Sequence, residues 1–216
     1  MSTPRTITLY DERYPLSQPI ETAAGEMLRV CVHPVTVATY CRFLNDIGHV
    51  ENGNGPELVN TVNFDATVVY RGGHWEYAPQ NGRRPVTLVT YRGAQLFADS
   101  VGLPLMSPEQ WSAALAMDGP AARGMSARAL NIEDASGGPV DVDQTFQGPS
   151  GIRGLLGNVG FWGRAVSTSV AWSFGVGWNK SRLHLRGPGV RRRWTRTTSV
   201  STRIRLLFPA GGEATA

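Results

Sequence analysis

The residues best suited to chemistry lie late in the chain. Trp172, Trp178 and Trp194 stand among glycines and arginines, in AWSFGVGWNK and RRRWTR, and Arg186, Arg191, Arg192, Arg193 and Arg196 gather around Trp194. Tryptophan interleaved with arginine suits recognition. The indole offers apolar area and a cation–π face, and the guanidinium a planar fork of donors. Cys31 and Cys41 form a second group, both early in the chain. A thiol holds a soft metal only when deprotonated and accessible, and these two read as small, buried, reduced hydrophobes. The four histidines, His33, His49, His74 and His184, show neither HxxxH nor HxE spacing, so no histidine metal site is expected.

Charge sharpens the first group. Residues 1–143 hold ten arginines against sixteen acids, whereas residues 144–212 hold ten arginines, Lys180 and no acid. The late positive charge exceeds the net negative charge before it, so some basic surface survives any internal matching. Such a surface fits an acidic protein partner or an anionic ligand. No helix-turn-helix, zinc-finger or RNP pattern accompanies it, so nucleic acid is not the expected partner.

The elements that must position these residues read as a mixed set. Strand character appears in RTITLY (5–10) and MLRVCV (27–32). Thr36 caps a predicted helix over 36–47, with Val37, Tyr40, Phe43, Leu44 and Ile47 at helical spacing and Gly48 to stop it. Residues 49–63 read as loop, and VVYRGGHWEY as a hairpin turning at Arg71–Gly72–Gly73. A strand through Val86–Val89 leads to a helix over 91–101, with Ala94, Phe97, Ala98 and Val101 inward and Gly102 closing it. Ser107, Pro108 and Gln110 give a helix start signal, predicting a shorter helix over 108–116. Residues 118–154 show little periodicity, and 155–208 read as irregular strands broken by glycine.

The chain has 216 residues, 41% of them hydrophobic, enough for a sizeable core. Its 25 glycines and 14 prolines suit many turns. Two cysteines exclude a disulfide framework, no apolar run reaches membrane-spanning length, and the N-terminus carries no secretory h-region. These features predict a cytoplasmic protein of α+β class. A lead-in over 1–26 precedes one domain over 27–208, and 209–216 is a disordered tail.

Three segments, in order, resemble the formylglycine-generating enzymes, or sulfatase-modifying factors. PVTVATYCRF (Pro34–Phe43) is similar to the family's PVT-x-x-x-Y-x-x-F helix entry. PVTLVTY with AQLFADSVGLPLMSPEQWSAAL is similar to its PV-x-V-S-W…RLPTEAEWE unit, keeping Pro85, Val86, Val89, Ala94, Gly102, Leu105 and Trp111. GLLGNVGFW is similar to its late GNVWEW motif, with Gly154, Leu155, Gly157, Asn158, Val159 and Trp162 in register. The closing RGGSW…GFRLV pattern survives faintly as RGPGV and RIRLLF.

The resemblance spans roughly residues 27–208 and implies a C-type-lectin-like fold. It also implies what to look for. Family enzymes hold copper on two late cysteine thiolates, and this chain has no cysteine after Cys41. Relatives that use non-haem iron hold it on histidines. Family calcium sites point to Asn131 and Asn158, though Phe161 replaces the motif's glutamate. The resemblance therefore implies a catalytically degenerate member, a binding or scaffolding module or a subunit of a larger assembly. Variable proteins of diversity-generating retroelements share the fold and bind ligands through the segment equivalent to Trp178–Arg205. The alternative is a divergent copper or non-haem-iron oxidoreductase.

Overall fold

A computed structural model describes residues 5–48, 58–61, 66–128, 138–165, 170–175, 191–195, 202–204 and 207–209. Among them the chain begins with a hairpin, β1 (Thr6–Leu9) and β2 (Glu12–Pro15), paired from Thr6↔Pro15 to Leu9↔Glu12. Its two-residue turn is Tyr10–Asp11, with φ of +46° and +64°. Glycine and asparagine usually occupy such positions. Here tertiary contacts hold the turn: the Tyr10 ring lies 6.0 Å from Phe43 and 5.8 Å from Phe97, and Arg42 donates to the Tyr10 carbonyl at 2.8 Å.

Next come β3 (Ile20–Glu21) and β4 (Met27–Val30), then α1 (Val37–Asp46). Thr36 caps α1 by accepting from the Thr39 N–H at 3.2 Å, a contact of about 1 kcal/mol. Val37, Tyr40, Phe43 and Leu44 are buried as their spacing predicts, while Ile47 at the end is 37% exposed. The hairpin β5 (Val69–Arg71) and β6 (His74–Glu76) turns at Gly72 and Gly73, both with positive φ. Helix α2 (Tyr91–Ser100) follows, capped by Thr90 and ended before Gly102 at φ +65°.

Helix α3 (Pro108–Arg128) begins where the sequence predicts. Ser107 N–H donates to Gln110 Oε1 at 2.8 Å and Gln110 N–H to Ser107 Oγ at 3.3 Å, a reciprocal capping box. The helix runs on to Arg128, twelve residues beyond the predicted end at 116. The apolar period fades there, but alanines, which favour helix, continue it. The expected strand over Val86–Val89 does not form. Its ends make single bridges, Thr36↔Pro85 and Val59↔Val89, and Leu88 between them sits at φ +57°. The Val59 bridge also draws part of the expected 49–63 loop into the core, where Leu58 and Val59 are buried.

The late strands are β7 (Gly160–Ala165), β8 (Val170–Phe174), β9 (Arg191–Thr195), β10 (Thr202–Ile204) and β11 (Leu207–Pro209). They form one sheet of order β10-β7-β8-β9, while β11 joins β4 and β3 in another. Among the described residues only β10–β7 is parallel, which fits α+β and not a doubly wound sheet. Adjacent side chains on β7 face opposite ways. Trp162 joins the cluster of α1 and α2 and Phe161 joins that of α3, so β7 lies between two core clusters. Glycine is required at 163, where an added Cβ would meet the Phe174 ring and lie 2.8 Å from the Met106 carbonyl. The β1–β2 hairpin shares the first cluster through Ile7, Leu9 and Tyr14.

Candidate functional site

Strand β9 carries Arg191, Arg192, Arg193 and Trp194, and it is hydrogen-bonded along β8 from Val170↔Thr195 to Phe174↔Arg191. Among the described residues it is the end strand of its sheet. In register, Arg192 pairs with Ser173 and Trp194 with Ala171, whereas Arg191 pairs with Phe174 and Arg193 with Trp172. Trp172 is half-buried against the α3 cluster. Consecutive arginines on an edge strand also discourage uncontrolled strand pairing. Trp178, Arg186, Arg196 and Asn131 lie outside the described residues.

The tryptophans matching family motifs are interior. Trp111 stacks on Phe174 at 5.3 Å and meets Phe161 edge-on at 4.9 Å. Trp162 donates its indole N–H to the Val89 carbonyl at 2.8 Å. Asn158, at φ +57°, binds the Val140 backbone from both ends of its amide: Oδ1 accepts from the N–H at 3.1 Å and Nδ2 donates to the carbonyl at 3.3 Å. That is a structural clasp between two loops.

The described acids around the calcium candidates face the chain's own cations. Asp143 accepts from Arg83 at 2.5 Å, and Asp141 lies 3.9 Å from Arg84. These neighbours do not fit a hard-cation site. The cysteines do not fit a copper site either. Cys31 and Cys41 are only 2% and 3% exposed, and burial, aided by the Glu76 charge, pushes the Cys41 thiol up to about 11. Among the described residues no cluster of three or more His, Cys, Asp or Glu could hold a metal. His33 is buried, its Nδ1 3.1 Å from the Pro34 carbonyl and its ring against Tyr14, and His74 is exposed on β6.

One polar constellation escaped the sequence. Glu12 Oε2 accepts from the hydroxyls of Thr36, at 2.6 Å, and Thr39. Tyr14 donates to Thr39 Oγ1 at 2.8 Å and accepts from the Thr36 N–H at 3.1 Å. Arg83 closes the set, reaching Glu12 Oε1 at 2.5 Å as well as Asp143. A carboxylate at the start of α1 also meets the positive end of the helix dipole. Partial burial alone would lower the Arg83 pKa, but the hydrogen bond and charge of Asp143, with Glu12, raise it overall. Burial and the Glu12 charge hold the Tyr14 phenol far above its ordinary value. Tyr14 thus keeps its proton and Arg83 its charge, which suits a structural clamp. No sequence signal could have joined Glu12 to Arg83, which lie 71 positions apart.

No family model matches the chain. A curated relative, the serine/threonine-protein kinase Pkn1 of Chlamydia trachomatis serovar L2, is 28% identical over 134 residues, which cover 61% of this chain. The match spans only 22% of the length of that relative. Among solved structures, Treponema denticola variable protein 1 superposes with a TM-score of 0.63 at 12% identity, over 97% of this chain and 100% of that one. PvdO from Pseudomonas aeruginosa gives 0.62 at 14% identity, with the same coverages of 97% and 100%. CarF gives 0.55 at 16% identity, over 85% of this chain and 86% of that one. At these identities the likeness is one of fold: the mixed α+β arrangement is shared by all three. Among the described residues no helix is long and apolar enough to cross a membrane.

Proposed function

We propose that this chain is a catalytically degenerate protein of the formylglycine-generating-enzyme type, with a C-type-lectin-like fold. It acts in the cytoplasm as a binding or scaffolding module for an acidic protein partner. The observation carrying this reading is β9: a regular strand, last in its sheet among the described residues, is built from Arg191, Arg192, Arg193 and Trp194 within a stretch of sequence that contains no acid. Fold likeness to a variable protein adds support from the fold alone. Arg191, Arg192, Arg193 and Trp194 would supply the charged and apolar contacts to the partner, and Arg186 and Arg196 add charge in the sequence.

Loss of the copper chemistry is part of the same proposal. It is supported by the burial and raised pKa of Cys41, the opposite of what a thiolate ligand needs. The purified protein is expected not to convert a cysteine-containing sulfatase-type peptide to formylglycine, read by mass spectrometry with and without copper. Turnover, or stoichiometric copper or iron in protein purified without chelators, would favour the oxidoreductase instead. Binding is tested with a labelled polyglutamate peptide and a DNA duplex of equal charge. Preference for the peptide is expected, and preference for the duplex would refute the choice of partner.

A further inference from the structure

Helix α3 runs from Pro108 to Arg128 without a break, yet its sequence disfavours that at one place. Asp118, Gly119 and Pro120 stand together in its second half. Glycine gives up the most backbone freedom on entering a helix. Proline has no N–H for the carbonyl four residues back, here that of Ala116. The same three residues suit a helix start. Aspartate is a favoured N-cap, and a proline in the first turn loses nothing, because the N–H groups there have no partner within the helix. A start signal thus lies in the interior of α3.

The Asp118 side chain is placed for such a start. It is 1% exposed, and its carboxylate is held from outside the helix. Oδ1 accepts from the Ser150 N–H at 2.7 Å, and the Ser150 carbonyl accepts from the Gln18 N–H at 3.1 Å, which ties that loop to the lead-in. Gly148 packs against the carboxylate, where an added Cβ would lie 2.5 Å from Cγ. Oδ2 is buried and has no hydrogen-bond partner among the described residues. A buried carboxylate oxygen without a donor destabilises the state that holds it.

We propose that α3 is a two-state hinge. In one state the helix is continuous. In the other it breaks at Asp118, and Oδ2 caps a second helix over residues 119–128 by accepting from the Ala121 N–H. In an unbroken helix that N–H belongs to the Met117 carbonyl. The two states balance opposite defects: the continuous helix strands Oδ2 and carries Pro120 in its interior, and the broken one gives up the hydrogen bonds across the break. The contact of Oδ1 with Ser150 keeps the carboxylate in place as the pivot, while Gly119 absorbs the change in backbone angles. The segment that swings, 119–128, contains Arg123 and Arg128 and no acid, so the hinge moves positive charge. It is independent of β9, and its failure would leave the reading of β9 standing.

The test is double electron–electron resonance on the full chain, with nitroxide labels at Glu109→Cys and Ala127→Cys. A continuous helix puts these two backbone positions about 27 Å apart. Cys31 and Cys41, both buried, stay in place. With the hinge residues unchanged, two distances are expected, one near that value and one shorter. Pro120→Ala should leave only the longer. Asp118→Asn has a single side-chain oxygen, which can serve Ser150 or the cap but not both, so the shorter population should fall about fivefold. A single distance with the hinge residues unchanged would overturn the proposal. So would two distances that persist in Pro120→Ala, or a shorter population that Asp118→Asn leaves unmoved.

Discussion

Arg83 sits between Glu12 and Asp143, both at 2.5 Å, and ties the first hairpin to α1 and to the loop before Asn158. Arg191, Arg192 and Arg193 occupy an edge strand in a stretch with no acid at all. The same residue type thus stands in two settings. In the first region its charge is answered within the fold and contributes to stability. In the second the sequence supplies more positive charge than acid, and we propose that the excess meets a partner. Composition alone does not separate the two uses; the placement of carboxylates does.

The sharpest way to break this comparison is to remove the answering carboxylate. Glu12→Ala takes the acceptor from the buried hydroxyls of Thr36 and Thr39 and one partner from Arg83. It is expected to cost about 2–3 kcal/mol in urea unfolding and to leave polyglutamate binding unchanged. A loss of binding as well would mean that the two arginine groups are not independent.

The cored region should also show itself in alkali. The Cys41 thiol is raised from 9.0 to about 11 by burial. Between those values the folded chain keeps a proton that the unfolded chain has released. Stability from this group is therefore full below about pH 9 and falls as pH rises towards 11, by on the order of 2 kcal/mol. Cys41→Ala should flatten the slope between pH 9 and 10; an unchanged slope would show that Cys41 is not its source.

The converse substitution acts on the late region. Replacing Arg191, Arg192 and Arg193 together with serine should weaken the polyglutamate complex about tenfold, or about 1.4 kcal/mol. Stability should change by less than about 0.5 kcal/mol. A large fall in Tm would instead make β9 part of the structural clamp. The smallest effect is expected from metal removal. A calcium chelator should leave Tm unchanged, because the Asn158 amide already binds Val140 and Asp143 already accepts from Arg83.

Local signals made much of the fold legible. Thr36 before an apolar 3–4 spacing gave α1, the Ser107–Gln110 box gave the start of α3, and Arg71–Gly72–Gly73 gave the second hairpin. The misses came where distant contacts overrode local pattern. Val86–Val89 looks like a buried strand, but two isolated bridges and the turn of Leu88 replace a ladder. Tyr10–Asp11 makes a turn its residue types disfavour because Phe43 and Phe97 hold it. In the late region the arginine run was evident but its register on β8 was not, since a strand of charges has no apolar alternation to read.

The most direct measurement is the affinity of the full chain for polyglutamate as salt rises, made on the wild type and on the Arg191, Arg192 and Arg193 serine variant side by side. Wild-type affinity should fall steadily with ionic strength, because screening acts on exposed charge, and the variant should start weaker and fall less. Identical curves for the two proteins, or a wild-type affinity indifferent to salt, would contradict the assignment of β9 as the binding surface.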